Sequence, residues 1–428
     1  MFLTKIFRFF YHIFTYLVSP LLLLHLFLRS ISDPRYFNRV KERFGFYSQS
    51  ISRETIWIHA VSYGEVNAAQ SLVRSLLDQN PDLDIIFSST TPTGSAHIDE
   101  LFPHEVINIY IPYDLAGPVK RFFLWAKPKV AIIIETEIWP NIYHYCGKAG
   151  IPLILASACI SDNSMKRYSL LFSLFKDSVS QGIVVASQTN EDAAKFITLG
   201  AKKERTYVTG NLKFDSNINI EHKEVISTFK DKFIGDRFVW IAGSTHEGEE
   251  TEVLKAHMSI IKSIPNALLI IAPRKPERFK AVSKILDQSQ LSFTKWSENN
   301  DEKINTDVLL LDSLGDLLFF YSLGEVAFVG GSLFSVGGHN LIEPAILGKP
   351  ILTGPKLNNV KEIADQFLSH QAIIIVKDQI DIAKSVYELS INEERYNEMI
   401  NGAQRVIENN KGSTDKVIEL IRPLIQSH

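Results

Sequence analysis

The chain is poor in the residues that mark several functional classes. Its 428 residues include only two cysteines, Cys146 and Cys159. That is too few for a disulfide framework and fits no metal-ligand spacing, so a reducing cytoplasm is the expected compartment. Net charge is only −3, without the basic footprint that a nucleic-acid partner requires. No His-Glu-x-x-His, P-loop or serine-elbow pattern occurs, and His59, His246 and His339 are scattered over expected loops. Asp82-Leu83-Asp84 precedes an expected strand instead of following it, so it is not read as a metal-holding motif. No metal or cofactor is expected on these grounds. There is no low-complexity segment, and no repeat finer than two halves.

What is present begins with an apolar N-terminus. Phe9 to Leu28 carries no formally charged residue and is about the length needed to cross a bilayer. Lys5 and Arg8 precede it, while Arg29, Arg35, Arg39, Lys41 and Arg43 follow it, and the larger positive cluster is expected to stay cytoplasmic. The long run and the lack of a small-residue cleavage site disfavour a removed signal peptide. Pro20, His12, Ser19 and His25 leave open a second arrangement, a helix lying in the membrane surface.

From Glu54 onward, short β-rich runs alternate with amphipathic stretches, the pattern of parallel sheets covered on both faces. One set of strands is expected at Ile56–Ala60, Asp84–Ser88, Val106–Tyr110, Val130–Ile134, Pro152–Ala156 and Gly182–Ala186. A second is expected at Phe238–Ala242, Ala267–Ala272, Val308–Leu311, Val326–Val329, Pro350–Thr353 and Ala372–Val376. The fold class is therefore α/β, with two Rossmann-like doubly wound domains facing a cleft and an added N-terminal membrane-associated helix. The expected boundaries are 1–33 for the anchor helix, 34–212 for the first domain, 213–231 for a polar linker and 232–428 for the second domain with its C-terminal helices. Ligands of open α/β sheets bind beyond the carboxyl ends of the strands, so the loops there are where function is sought.

The most informative of these loops follows Val326–Val329 and runs through Gly330-Gly331-Ser332 to Gly337-Gly338-His339-Asn340-Leu341-Ile342-Glu343. Free backbone N–H groups and a helix start would suit a phosphate there, and Asn340 and Glu343 would suit ribose hydroxyls, which points to a nucleotide sugar. The alternative is a tight turn whose glycines only permit unusual backbone angles. In the first half, Ser62-Tyr63-Gly64-Glu65 enters a helix directly after a strand. Glu65 there is either a general base or a helix N-terminal carboxylate stabilised by the dipole. Glu135 and Glu137 follow the very apolar strand Val130–Ile134, where carboxylates are costly unless hydrogen-bonded or working on a substrate. The Thr90–Ser95 and Pro112–Asp114 loops are read either as acceptor-pocket walls or as ordinary turns. Ser244 and Thr245 offer hydroxyls at a helix start, Arg274 follows Pro273 at a strand end, and Gly315-Asp316-Leu317 opens another helix. The cations of 274–278 would suit a phosphate, and for Lys275 and Arg278 solvated surface charge is the alternative, and the preferred, reading. Lys213 falls at the expected hinge.

Taken in order, Arg43-Phe44-Gly45-Phe46-Tyr47, Ser62-Tyr63-Gly64-Glu65, Thr91-Pro92-Thr93-Gly94-Ser95, Glu135-Thr136-Glu137-Ile138-Trp139-Pro140-Asn141, Thr245-His246-Glu247-Gly248-Glu249, Pro273-Arg274 and Gly337-Gly338-His339-Asn340 give a chain that resembles the 3-deoxy-D-manno-octulosonic acid (Kdo) transferases over nearly its whole length. The resemblance implies a GT-B fold and inverting transfer of Kdo from CMP-Kdo to lipid IVA, the tetraacylated lipid A precursor, at the cytoplasmic face of the inner membrane. It implies Glu65 as proton acceptor, with Glu135 and Lys213 near the transition state. Pro273, Arg274, Gly315, Asp316, Leu317, Asn340, Leu341, Ile342 and Glu343 would contact CMP. Glu137, Ser244, Thr245, Gly337 and Gly338 are further candidates for donor or acceptor contacts. The chain departs from the family pattern at Lys275 and Asp316, where His and Glu are usual. A UDP-sugar enzyme of the same fold, or a tethered nucleotide-sugar sensor, are the competing readings of the residues.

Overall fold

A computed structural model of the chain describes residues 2–161, 164–166, 168, 182–215, 223–299 and 302–426. The chain divides into two compact units, Met1–Asn217 with Lys411–His428, and Ile218–Asn410.

The first unit opens with helix α1 (Phe2–Ser32), and its sheet is built from β1 (Thr55–His59), β2 (Asp84–Ser89), β3 (Ile107–Tyr110), β4 (Pro128–Ile134), β5 (Leu153–Ala158), β6 (Val184–Ser187) and β7 (Thr206–Val208). Helices α2 (Tyr63–Gln79), α3 (Pro92–Leu101), α4 (Ala116–Ala126), α5 (Pro140–Ala149) and α6 (Asn190–Thr198) lie between the strands. The seven strands pair in parallel in the order β3-β2-β1-β4-β5-β6-β7. Alternate residues of each strand enter opposite cores. Trp57, Ala131, Ile133 and Leu155 pack on one face, while Ile56, Ile58, Val130, Ile132 and Ile154 pack on the other. Burial of both faces is why the central strands read as continuous Val and Ile runs.

The second unit repeats the plan with β8 (Val239–Thr245), β9 (Leu268–Pro273), β10 (Phe293–Lys295), β11 (Val308–Leu310), β12 (Val326–Val329), β13 (Ile351–Thr353) and β14 (Ile373–Ile375). Their order is β10-β11-β9-β8-β12-β13-β14. Its helices are α7 (Lys223–Phe229), α8 (Glu249–Ser263), α9 (Pro276–Asp287), α10 (Leu317–Leu323), α11 (Ile342–Ile346), α12 (Lys361–Ser369), α13 (Gln379–Ile391) and α14 (Glu393–Asn410). In each sheet the strand order reverses at the centre, between β1 and β4 and between β8 and β12. The loops leaving those neighbouring strands diverge, and the gap they leave is where open α/β sheets take their ligands.

The structure changes three of the boundaries expected from sequence. Each sheet has seven strands, one more than the periodicity suggests. The additions, β7 and β10, are three-residue edge strands with partly exposed side chains, too short and polar to give a hydrophobic signal. The segment Leu212–Asp215, expected in a linker, is a 3-10 turn of the first unit with Leu212 and Phe214 buried. Residues 216–222 of that linker lie outside the described residues. Finally, the last helix, α15 (Ser413–Gln426), belongs to the first unit and not to the second. Val417, Ile418 and Ile421 enter the core formed by Ile56, Ile132 and Ile154. Asp215 fixes its start by accepting hydrogen bonds from the backbone N–H of Gly412 (2.8 Å) and Thr414 (2.5 Å).

Truncating a fully buried aliphatic side chain removes its transfer free energy and leaves a cavity. Ile421→Ala is therefore expected to destabilise the chain by roughly 2–5 kcal/mol in urea unfolding. A change below about 0.5 kcal/mol would contradict the assignment of α15 to this core.

Candidate active site

Each unit gathers the predicted residues at its own switch point. In the first unit, Glu65 lies in the first turn of α2, directly after β1. Its Oε2 accepts from the backbone N–H of Ser62 (3.2 Å) and of Val61, which is the carboxylate half of a capping box. Both bonds fall on Oε2, and Oε1 has no partner among the described residues. Glu135 opens the loop after the neighbouring strand β4 with a left-handed backbone, φ 60°, a conformation uncommon for a non-glycine residue and concentrated at functional sites. Its carboxylate pairs with Lys213 Nζ at 2.6 Å. Burial alone would lower the Lys213 pKa, but Glu135 more than offsets it and holds the ammonium above its ordinary value.

The remaining carboxylates of the cluster behave oppositely. Burial, reinforced by the negative charge of Glu135, raises Glu65 to about 8, and burial raises Glu137 to about 7. One carboxylate paired with a lysine beside two whose proton affinity is raised is an arrangement that can separate acid and base roles. Residues that sequence reading did not single out hold this cluster. Ser157, itself at φ 57°, accepts from the N–H of Leu212 (3.3 Å) through Oγ. Asn211 accepts from the Lys213 N–H (3.0 Å) and donates to Gln188 (3.0 Å). Nothing in their local sequence marks them. The neighbouring loops resolve to structural roles. Thr91 caps α3 by accepting from Gly94 N–H (3.1 Å). Buried Asp114 caps α5 by accepting from the N–H groups of Asn141 and Ile142, each at 3.0 Å.

In the second unit, the loops after β8 and β12 meet through Glu249, whose side chain is fully buried. Its carboxylate accepts the backbone N–H groups of His246 (2.9 Å), Gly331 (2.7 Å), Ser332 (2.8 Å) and Leu333 (2.9 Å). This corrects the expectation of free amides at the start of the glycine-rich loop, because a protein carboxylate already occupies them. The helix after that loop is also short, Ile342–Ile346, and Asn340 Oδ1 accepts from Ile342 N–H at 3.0 Å, so a strong helix dipole is not available there. An acidic residue at the buried start of α8 was the signal for this role.

The loop also brings two scattered histidines together, His246 Nε2 and His339 Nε2 at 2.7 Å with rings 14° from parallel. Gly331 adopts φ 69°, and a Cβ there would lie 2.6 Å from His339 Cδ2, so glycine is required on both counts. Burial, then the nearby Arg274 cation, lowers His339 to about 4. Arg274 is exposed, and no ion pair engages it among the described residues. Arg278, read as solvated charge, is instead the partner of the buried Glu250 at 3.1 Å. Three further predicted segments converge on the end of β8. A Cβ at Gly243 would strike the Tyr321 hydroxyl and Leu317, and Glu343 is close enough to help burial raise the Tyr321 pKa. Gly315 has φ 100°, and Asp316 stands at the N-terminal cap position of α10, its carboxylate accepting from the Ser313 hydroxyl and not from the helix N–H groups. Ser244, at φ 55°, has its carbonyl 2.8 Å from where a Gly330 Cβ would be.

Two seven-stranded, doubly wound parallel-sheet units define the GT-B fold class. Comparison with solved structures agrees: UDP-GlcNAc 2-epimerase from Neisseria meningitidis matches with TM-score 0.61 over 86% of this chain and all (100%) of its own, at 12% identity, a likeness of fold alone. Residues 38–216 match the family model described as 3-Deoxy-D-manno-octulosonic-acid transferase (kdotransferase). The 3-deoxy-D-manno-octulosonic acid transferase of Haemophilus influenzae is 36% identical over 98% of this chain and 99% of its own. The C-terminal CMP-Kdo binding domain of WaaA from Acinetobacter baumannii is 30% identical over 43% of this chain and 97% of that one, with TM-score 0.42. The chain belongs to the Kdo transferase family, and it is a glycosyltransferase.

Glu249→Gln would turn an amide N–H toward backbone donors, and is expected to cost roughly 2–4 kcal/mol in thermal or urea unfolding; an unchanged midpoint would sink the proposed clasp. A second expectation follows from Glu65. Its folded pKa of about 8 lies above the ordinary 4.5, so between those values the folded chain keeps a proton that the unfolded chain has released. That group therefore subtracts stability as pH rises through the window. Glu65→Gln should remove this part of the slope in unfolding curves taken from pH 5 to 8.

Proposed function

We propose that the chain transfers Kdo from CMP-Kdo to the tetraacylated lipid A precursor, lipid IVA, in lipopolysaccharide synthesis, with inversion at the anomeric carbon and Glu65 as the general base. The observation that carries the mechanism is Glu65 at the switch point of the first unit, one carboxylate oxygen held by backbone and the other without a partner, with its affinity for protons raised by burial. In the reaction the acceptor hydroxyl oxygen forms the new glycosidic bond as its proton passes to Glu65. The bond from the anomeric carbon to the phosphate oxygen breaks, and CMP departs with the electron pair. Lys213 and Glu135 stabilise the charge redistribution, while Arg274, Asn340–Glu343 and Gly315–Leu317 hold CMP.

Kdo carries a carboxylate and CMP a phosphate, so the donor needs cationic stabilisation as negative charge gathers on the leaving group. The unpaired Arg274 beside the uncharged histidine pair suits that need. Because the leaving group presents one phosphate, no divalent cation is required to bridge a diphosphate. The long apolar α1, whose Phe7–Ile31 stretch meets the length and composition of a bilayer helix, supports association with the inner membrane, with both units on the cytoplasmic side. There the acyl chains of the acceptor remain in lipid while its headgroup is reached from water.

Membranes carrying the chain, given CMP-Kdo and lipid IVA, are expected to add Kdo mass increments to the lipid. Glu65→Gln should reduce the rate about 10²- to 10⁴-fold, and the wild-type rate should climb with pH toward about 8. CMP should inhibit where UDP does not, and EDTA should leave turnover unchanged. A folded chain that consumes a UDP-sugar and leaves CMP-Kdo intact would refute the donor assignment.

A further inference from the structure

The N-terminal helix has two opposite faces, and the structure engages only one of them. Tyr11 donates to Asp114 (2.8 Å), His12 hydrogen-bonds Asn141 (2.7 Å), Arg8 hydrogen-bonds His144 (3.1 Å), and the Tyr16 hydroxyl accepts from Gly117 N–H (3.0 Å). At 100° per residue these four positions share one stripe, and the same stripe carries Leu26, which is buried. The other face presents Phe10, Leu17, Leu24 and Ile31, between 52% and 75% exposed. Their seven-residue spacing makes a second, wholly apolar stripe.

We propose that α1 is an in-plane membrane helix, fixed along its polar stripe to the first unit and immersed by its apolar stripe in the boundary between headgroups and acyl chains, without crossing the bilayer. This rests on the membrane association proposed above. Two arguments exclude a crossing. If residues 8–16 were in the hydrocarbon core, their partners at the starts of α4 and α5 would have to enter it too, carrying polar groups that lipid cannot satisfy. If that docked stretch stays outside, residues 17–31 provide only about 22 Å of helix, short of the ~30 Å core. At the far end the helix runs directly into the following turn, with Asp33 N–H donating to the Arg29 carbonyl (3.0 Å) and Arg29 donating to the Tyr36 hydroxyl (3.0 Å). Lipid is the occupant that fits: the stripe is apolar from Phe10 to Ile31, and the exposed Arg29 in the last turn and Lys41 beyond the helix suit anionic headgroups.

The test places one nitroxide-labelled cysteine at a time at Phe10, Leu17, Leu24 and Ile31 of the full chain, with the labelled parent as background. The chain is bound to phosphatidylethanolamine and phosphatidylglycerol vesicles. Power saturation against oxygen and a water-soluble nickel chelate then reads the depth of each label. An in-plane helix gives four equal, shallow depths. A depth that rises to a maximum in mid-helix and falls again would overturn the in-plane placement while leaving membrane association intact. Low access to both reagents with dipolar broadening would assign the stripe to a second copy of the chain and likewise overturn it. A chain that stays off the vesicles would overturn the membrane reading itself. Kdo transfer to detergent-dispersed acceptor, measured separately, reports on the catalytic reading alone.

Discussion

The Lys213–Glu135 ion pair is the interaction on which the strand-end cluster of the first unit depends. Glu65, Glu135 and Glu137 share one strand-end region, and three such carboxylates cannot all stay ionised away from bulk water. Lys213 pairs with Glu135 at 2.6 Å, and the Glu135 carboxylate in turn helps burial raise Glu65. A carboxylate of heightened proton affinity thus sits beside the pair that one cation makes. Its placement is over-determined: Leu212 and Phe214 are buried on either side, Asn211 caps the Lys213 amide, and Asp215 is pinned to the start of α15. Since a misplaced ammonium would leave a buried carboxylate uncompensated, the rigidity of this turn is an electrostatic requirement as much as a packing one.

The second unit solves the complementary problem. A glycine-rich loop with converging amides is unstable by itself, because its N–H groups repel one another and are shielded from water. Glu249 supplies a permanent anion, closing the loop after β12 onto the loop after β8. What remains available around it is a different set of groups: the uncharged histidine pair, the Arg274 guanidinium, and the helix starts at Asp316 and Asn340. The shape of this surface is therefore prepared before any ligand arrives, which lowers the ordering cost of binding.

Much of this was legible in the chain. Continuous Val and Ile runs such as Val130–Ile134 mark strands buried on two faces, and polar or glycine-rich residues directly after them mark the switch-point loops, so Glu65, Glu135 and the 337–343 segment could be named from order alone. Less legible were features set by distant contacts. His246 and His339 are 93 residues apart, and no local pattern announces their meeting. Ser157, Asn211 and Gln188 look like ordinary loop residues because their work lies in backbone bonds across the sheet. Glu249 was visible only as part of the Thr245–Glu249 motif, and nothing in that motif tells that its carboxylate faces inward to amides of a loop some eighty residues further on. The edge strands β7 and β10 escaped notice since an edge buries too little to impose a pattern.

The return of α15 to the first unit makes residues 218–410 an insertion within that unit. During synthesis on the ribosome, the first sheet emerges early but waits for almost two hundred further residues before Asp215 receives the helix that fixes it. The turn bearing Lys213 is then among the last parts of the machinery to be locked. A chain interrupted before residue 413 would carry every described strand of both sheets and yet lack the helix whose start Asp215 holds, so the order of the Lys213 turn is coupled to completed translation.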